Sequence, residues 1–111
     1  MQGATVQYGF PPLSEAEKQL LEEKAQQLLA DMRRHIGELE IDRALGVAKD
    51  LEPWLASHTS HLPTSLVSSL YCELIELKFK QVRRAMTEPD RRAYMAEAEL
   101  LFRKAHDVSS Q

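Results

Sequence analysis

Apolar positions recur at helical spacing along most of the chain, and the densest run, Leu66 to Met86, reads LVSSLYCELIELKFKQVRRAM. Leu66, Leu70, Leu74 and Leu77 form one stripe at steps of four, four and three, and Val67, Tyr71, Ile75 and Val82 widen it. A surface helix needs an apolar stripe of only about 100°. The first half of this run is apolar nearly all round, with Cys72 and Phe79 off to the side, so it reads as a central helix covered by neighbours. It then turns basic at Lys78, Lys80, Arg83 and Arg84, so its far end reaches solvent.

The flanking segments carry the same period. Ser14 and Glu17 form an S-x-x-E capping box that opens a first helix. Leu21, Ala25, Leu28, Leu29, Met32 and Ile36 follow it on one face. Its acids come early and Arg33, Arg34 and His35 come late, as the helix dipole prefers. Gly37 is the predicted left-handed stop. A second helix starts near Glu40 to Asp42 and buries Ile41, Ala44, Leu45, Ala48 and Leu51, with Val47 beside them. Pro53 lacks an N–H and clashes with the carbonyl four residues back, which predicts an end or kink near Glu52. Trp54 and Leu55 then pack back as an irregular or short helical plug, and residues 57–62 form a loop.

Pro63, Thr64 and Ser65 are start signals for the central helix, which runs to Met86. Thr87, Glu88, Pro89 and Asp90 punctuate the chain again: a threonine cap, proline in the first turn, an acid three residues on. The last helix sets Tyr94, Ala98, Leu101, Phe102, Ala105 and Val108 on one face, and residues 108–111 fray. Residues 1–13 have no helical period and contain Pro-Pro, which predicts an extended arm or linker whose Tyr8 and Phe10 could dock on the bundle. No segment alternates with period two long enough to make a strand. The expectation is a single all-α domain over 14–108. It consists of two antiparallel helical hairpins, 14–52 and 64–107, either tetratricopeptide-like or a four-helix bundle. Leu28, Leu51, Leu70, Leu74, Leu77, Leu101 and Phe102 are expected in its core.

Composition narrows the class. At 111 residues the chain is one domain, long enough to build a core without staples. One cysteine excludes an internal disulfide and points to a reducing compartment, hence an intracellular protein, cytoplasmic or nuclear. No apolar run approaches the roughly 18 residues of a membrane span. No basic start followed by an apolar core marks a signal peptide.

Charge is uneven. Residues 78–104 carry eight basic and four acidic side chains, whereas residues 1–77 carry six basic and twelve acidic ones. Arg83 and Arg84 precede the turn at Thr87, and Arg91 and Arg92 follow it, which gathers them at a hairpin tip with Lys80 behind. Cations suit the end of one helix but not the start of the next. Folding therefore gives no reason for Arg91 and Arg92.

Candidate chemistry is sparse. His58 and His61 are three apart, but zinc needs three or four converging ligands, and no second local pair completes a site. Cys72 reads as a small buried hydrophobe. Glu73 with Glu76 and Glu97 with Glu99 form no diagnostic pair, and Tyr71, Tyr94 and Phe102 read as core. No G-x-S-x-G, phosphate loop or Gly-rich turn is present. The expectation is no enzyme and no cofactor.

Ala98-x3-Phe102-x2-Ala105 resembles the second helix of a tetratricopeptide repeat, where small residues and an aromatic let the paired helix approach closely. Ala44-x3-Ala48-x2-Leu51 has the same spacing with leucine for the final alanine. The two segments lie 54 residues apart, a longer interval than the repeat's roughly 34. The chain is similar, too, to microtubule-interacting-and-trafficking domains, whose three helices resemble an elongated repeat. Both resemblances imply a protein–protein interaction module, a scaffold or adaptor. The module would bind either an extended or helical segment in an inter-helix groove or a partner at the basic tip, where the candidate partner-binding residues are Lys80, Arg83, Arg84, Arg91 and Arg92, facing an acidic surface or peptide of a protein partner. The alternative is a small helical nucleic-acid-binding domain using the same tip. The chain is acidic overall and the tip lacks interleaved aromatics, which weighs against it.

Overall fold

The computed structural model describes residues 13–110, and these contain four α-helices and no strand. The predicted arm lies outside them except for Leu13, as does any docking of Tyr8 and Phe10. The helices are α1 (Glu15–Gly37), α2 (Ile41–His58), α3 (Thr64–Arg84) and α4 (Glu88–Ser109), with a 3-10 turn at Thr59–His61. Among the described residues no helix is long and apolar enough to cross a membrane.

Both predicted caps form. The Ser14 hydroxyl accepts the Glu17 N–H at 3.1 Å, and the Glu17 carboxylate accepts the Ser14 N–H at 2.9 Å. The Thr87 hydroxyl accepts the Asp90 N–H at 3.3 Å, with proline in the first turn of α4.

The central helix touches all the others. Gln26 and Leu66 line the same hollow and, seven residues on, Arg33 donates to Glu73 at 3.3 Å, so α1 and α3 run parallel. α4 returns antiparallel along α3, from Glu97 against Lys78 at 2.6 Å to Ser109 against Ser68 at 3.4 Å. α2 descends antiparallel to both α1 and α3, with Asp42 near Arg84. α3 buries Val67, Leu70, Tyr71, Leu74, Ile75 and Leu77, and they meet Met32, Ala44, Leu51, Leu55 and Leu101 in one core.

Several expectations need correction. Helix α2 runs through Pro53 to His58. The missing N–H is outweighed by what lies beyond it: Leu55 is fully buried and Trp54 packs against the core. Side chains then close the helix end. The His58 ring donates to the Trp54 carbonyl at 2.8 Å, and the Thr59 hydroxyl to that of Leu55 at 2.6 Å. His58 is thus a helix-end cap stacked on Trp54, with centroids 4.8 Å apart.

α3 ends at Arg84 rather than Met86, because Ala85 turns extended. α4 continues to Ser109 and buries Val108, which was expected to fray. Phe102, expected in the core, is 53% exposed, and Leu28 is only half-buried. Among the described residues α4 has one substantial neighbour, α3, so it buries only Ala98, Leu101 and Val108, with Tyr94 and Ala105 half-covered. Phe102 lies at the margin of that face, with the Phe79 ring 6.3 Å away between centroids. Cys72 is exposed for the same reason. α1 and α2 cover one flank of α3 and α4 another, and Cys72 falls on the stripe between them.

Candidate interaction surface at the paired turns

The up-down-up-down order places the α1–α2 turn and the α3–α4 turn at the same end of the bundle. Arg84 joins them by bonding Asp42 at 3.5 Å.

The α1–α2 turn reverses at Leu39, not at Gly37. Leu39 has φ 59°, the left-handed region, and is 73% exposed. Its N–H bonds the Ile36 carbonyl at 3.1 Å, and the Glu40 N–H bonds that of His35 at 2.8 Å. These are the two bonds of a Schellman ending, moved two residues past the glycine. The shift keeps His35 and Ile36 packed at the end of α1 and lets Ile41 begin the next apolar face. It also folds Glu40 back, so that its carboxylate accepts the His35 Nδ1–H at 3.1 Å and meets Arg43 at 3.5 Å. The His35 hydrogen bond, aided by Glu38 and Arg43, holds the Glu40 carboxyl below the usual range. Donor atoms of His35, Glu38 and Glu40 gather within 4.8 Å, the one such trio among the described residues that could surround a cation. The turn already accounts for that convergence, since His35 and Arg43 occupy Glu40.

The α3–α4 turn is tied by an arginine. Arg91 donates to the Ala85 carbonyl at 3.2 Å and pairs with Glu88 at 3.5 Å. Folding therefore does ask for Arg91, contrary to the sequence-based expectation. The bond reaches back across the turn and satisfies a carbonyl that α3 leaves free. Arg84 is held by Asp42, and Lys80 pairs with Glu76 at 3.5 Å. Arg83 and Arg92 have no ion-pair partner among the described residues. Neighbouring helical residues diverge by about 100°, so the four arginines spread around the tip rather than forming one cluster.

The fold also adds charge that the linear count assigns elsewhere. Glu38, Glu40 and Asp42 come from the acidic half of the sequence but stand at this end with Glu88 and Asp90. Five acids there face the five arginines 43, 83, 84, 91 and 92.

Met86 is the most exposed large apolar side chain of the described residues, at 91%, and Leu39 is next. Two hollows flank Arg84. One, of about 410 Å³, is lined by Leu39, Glu40, Ile41, Asp42 and Arg43. The other, of about 240 Å³, is lined by Leu45, Gln81, Ala85, Met86, Asp90 and Tyr94. Gln81 Oε1 is the one buried side-chain polar atom without a hydrogen-bond partner among the described residues.

Of these features only the arginines were visible in the sequence. Antiparallel hairpins already imply that alternate turns share an end, and that was the available signal for the acids. Nothing local marks Leu39 as left-handed with Gly37 so near. Comparison of the chain with protein-family models, with curated proteins and with solved structures finds no match.

Proposed function

We propose that this chain is a protein–protein interaction module and that the paired-turn end is its contact surface. The observation that carries the reading is the pairing of Leu39 and Met86. They are the two most exposed large apolar side chains described, they stand on adjacent turns, and Arg84 lies between them. Methionine, aromatic and arginine side chains are enriched in protein interfaces, and here Met86, Tyr94 and Arg84 border one hollow. Leu39 adds strain to exposure. A left-handed non-glycine residue costs roughly 1–2 kcal/mol, and such residues cluster at functional sites.

The partner in this reading is a protein segment with an apolar anchor for Met86 and Leu39 and an acid within reach of Arg83 or Arg92. The nucleic-acid alternative is weaker on this surface, because five acids stand among the five arginines. The parallel α1 and α3, each followed by an antiparallel helix, suit a tetratricopeptide-like stack of two hairpins. An intracellular setting agrees with an exposed, single Cys72.

A photo-crosslinking residue placed at position 86 or 39, in cells that make the protein, tests the reading. Both positions should yield the same protein adducts. Excess wild-type protein should compete these away, and the variant carrying Leu39→Glu and Met86→Glu should not. Adducts identical to those from position 27, on an exposed face of α1, would overturn it. So would adducts to nucleic acid alone.

A further inference from the structure

Besides the unpaired guanidinium groups of Arg83 and Arg92, two acceptors at this end lack a partner among the described residues. Gln81 Oε1 is buried without a hydrogen bond. The Asp90 side chain has no hydrogen-bond or ion-pair partner among the described residues either, since the Thr87 cap uses only its backbone N–H. Both residues line the 240 Å³ hollow beneath Met86. Its other walls include Leu45, Met86 and the half-buried Tyr94. Arg84 borders the hollow, but its guanidinium is held by Asp42 on the far side. A buried acceptor without a donor is destabilising, and natural structures leave few of them.

We infer that this hollow receives a basic side chain, an arginine or lysine, of the protein partner. An apolar stem would run along Leu45 and Met86 while the charged head reaches the acceptors, as long basic side chains do on apolar surface. The Asp90 carboxylate supplies the charge, the Gln81 carbonyl a second acceptor, and the Tyr94 ring an aromatic wall for a cation. A volume of about 240 Å³ suits one such side chain and not a whole helix. The inference rests on the interaction reading and reverses the expectation from the sequence. There the arginines alone suggested an acidic partner. Here Arg84 and Arg91 are engaged within the fold, and the site under Met86 selects a base.

The test uses the intact chain and small stand-ins for the two side chains. ¹H–¹⁵N spectra are titrated with butylguanidinium and with butylammonium, and with butyrate as the opposite charge. At least one cation should move the Gln81 side-chain amide and the Ala85 and Met86 backbone signals saturably, and butyrate should not. Asp90→Asn should weaken that response about fivefold while keeping the backbone cap. Gln81→Leu should weaken it and raise the thermal midpoint, because the orphaned acceptor is gone. An equal response to butyrate, no saturable response to either cation, or a response unchanged by both variants would overturn the inference. Its failure is separable from that of the interaction reading. Specific adducts at position 86 without a cation response leave the surface standing and remove the basic occupant. A cation response without specific adducts does the reverse.

Discussion

Leu74 lies midway along α3 and Met86 just past its end, yet the first is all but fully buried and the second is 91% exposed. Around Leu74 the helix has neighbours on two flanks, and its apolar side chains meet others from α1, α2 and α4 in one core. Around Met86 the same chain leaves apolar side chains in water, an acceptor without a donor, and on the adjacent turn a leucine in a left-handed conformation. Every choice in the first region lowers the free energy of the fold. Several choices in the second raise it. The middle of α3 therefore accounts for the existence of the fold, and the paired turns are where a use for it is to be sought.

The largest test of that division is truncation in each helix. Leu74→Ala should lower stability by about 2–5 kcal/mol, since the side chain is buried and the site can collapse only partly. Phe102→Ala removes more atoms, yet it should cost only about 1 kcal/mol, because the ring is half in water. Urea midpoints with unchanged slopes give both values. Equal losses would show that α4 is covered on a second side and that the comparison is drawn in the wrong place.

The same pair shows what the sequence could and could not tell. The stripe Leu66, Leu70, Leu74, Leu77 and the caps at Ser14 and Thr87 were legible because they depend on residues a few positions apart. Phe102 and Cys72 were misread because the period of a helix states which residues share a face, not how many faces have neighbours. The helix end expected at Pro53 does not occur, for another reason. Its local penalty is real, but burial of Leu55 and the caps from His58 and Thr59 lie downstream and outweigh it. The arginine tip was legible as a charge run along the chain. Its neutralisation by Glu38, Glu40 and Asp42 was not, because it arises from which turns share an end.

A smaller effect, of opposite sign, is expected at Leu39. Glycine there removes the left-handed cost of roughly 1–2 kcal/mol. It also adds freedom to the unfolded chain, which costs roughly 0.5–1 kcal/mol. The surplus favours Leu39→Gly by up to about 1.5 kcal/mol, while adduct formation from position 86 should fall because one apolar anchor is lost. A gain in stability joined to a loss of capture is the signature of a residue kept for use. A loss of stability would mean that the Leu39 side chain supports the turn, and the contrast between core and turns would narrow.

The smallest effect separates two arginines that are adjacent in sequence. Arg91 is the fourth residue of α4 and Arg92 the fifth, at the edge of the first turn, where the dipole disfavours cations by at most a few tenths of a kcal/mol. Arg92→Ala should therefore be neutral or slightly stabilising, since the side chain has no ion-pair partner among the described residues. Arg91→Ala gains the same dipole relief but loses the bond to the Ala85 carbonyl and the pair with Glu88. A charge-assisted hydrogen bond is worth roughly 1.5–3 kcal/mol when buried. Arg91 is largely exposed, and solvent and salt reduce it to about 0.5–1 kcal/mol net. The two variants should thus differ in denaturation midpoint in a fixed order, Arg92→Ala at or above the parent and Arg91→Ala below it. The order also decides which charges can probe docking. Reversal of Arg84 or Arg91 disturbs the turn itself, whereas Arg83→Glu with Arg92→Glu changes only the surface. If that double variant retains the parent's adducts at position 86, these two arginines play no part in docking. The apolar anchors and the hollow beneath Met86 then account for it alone.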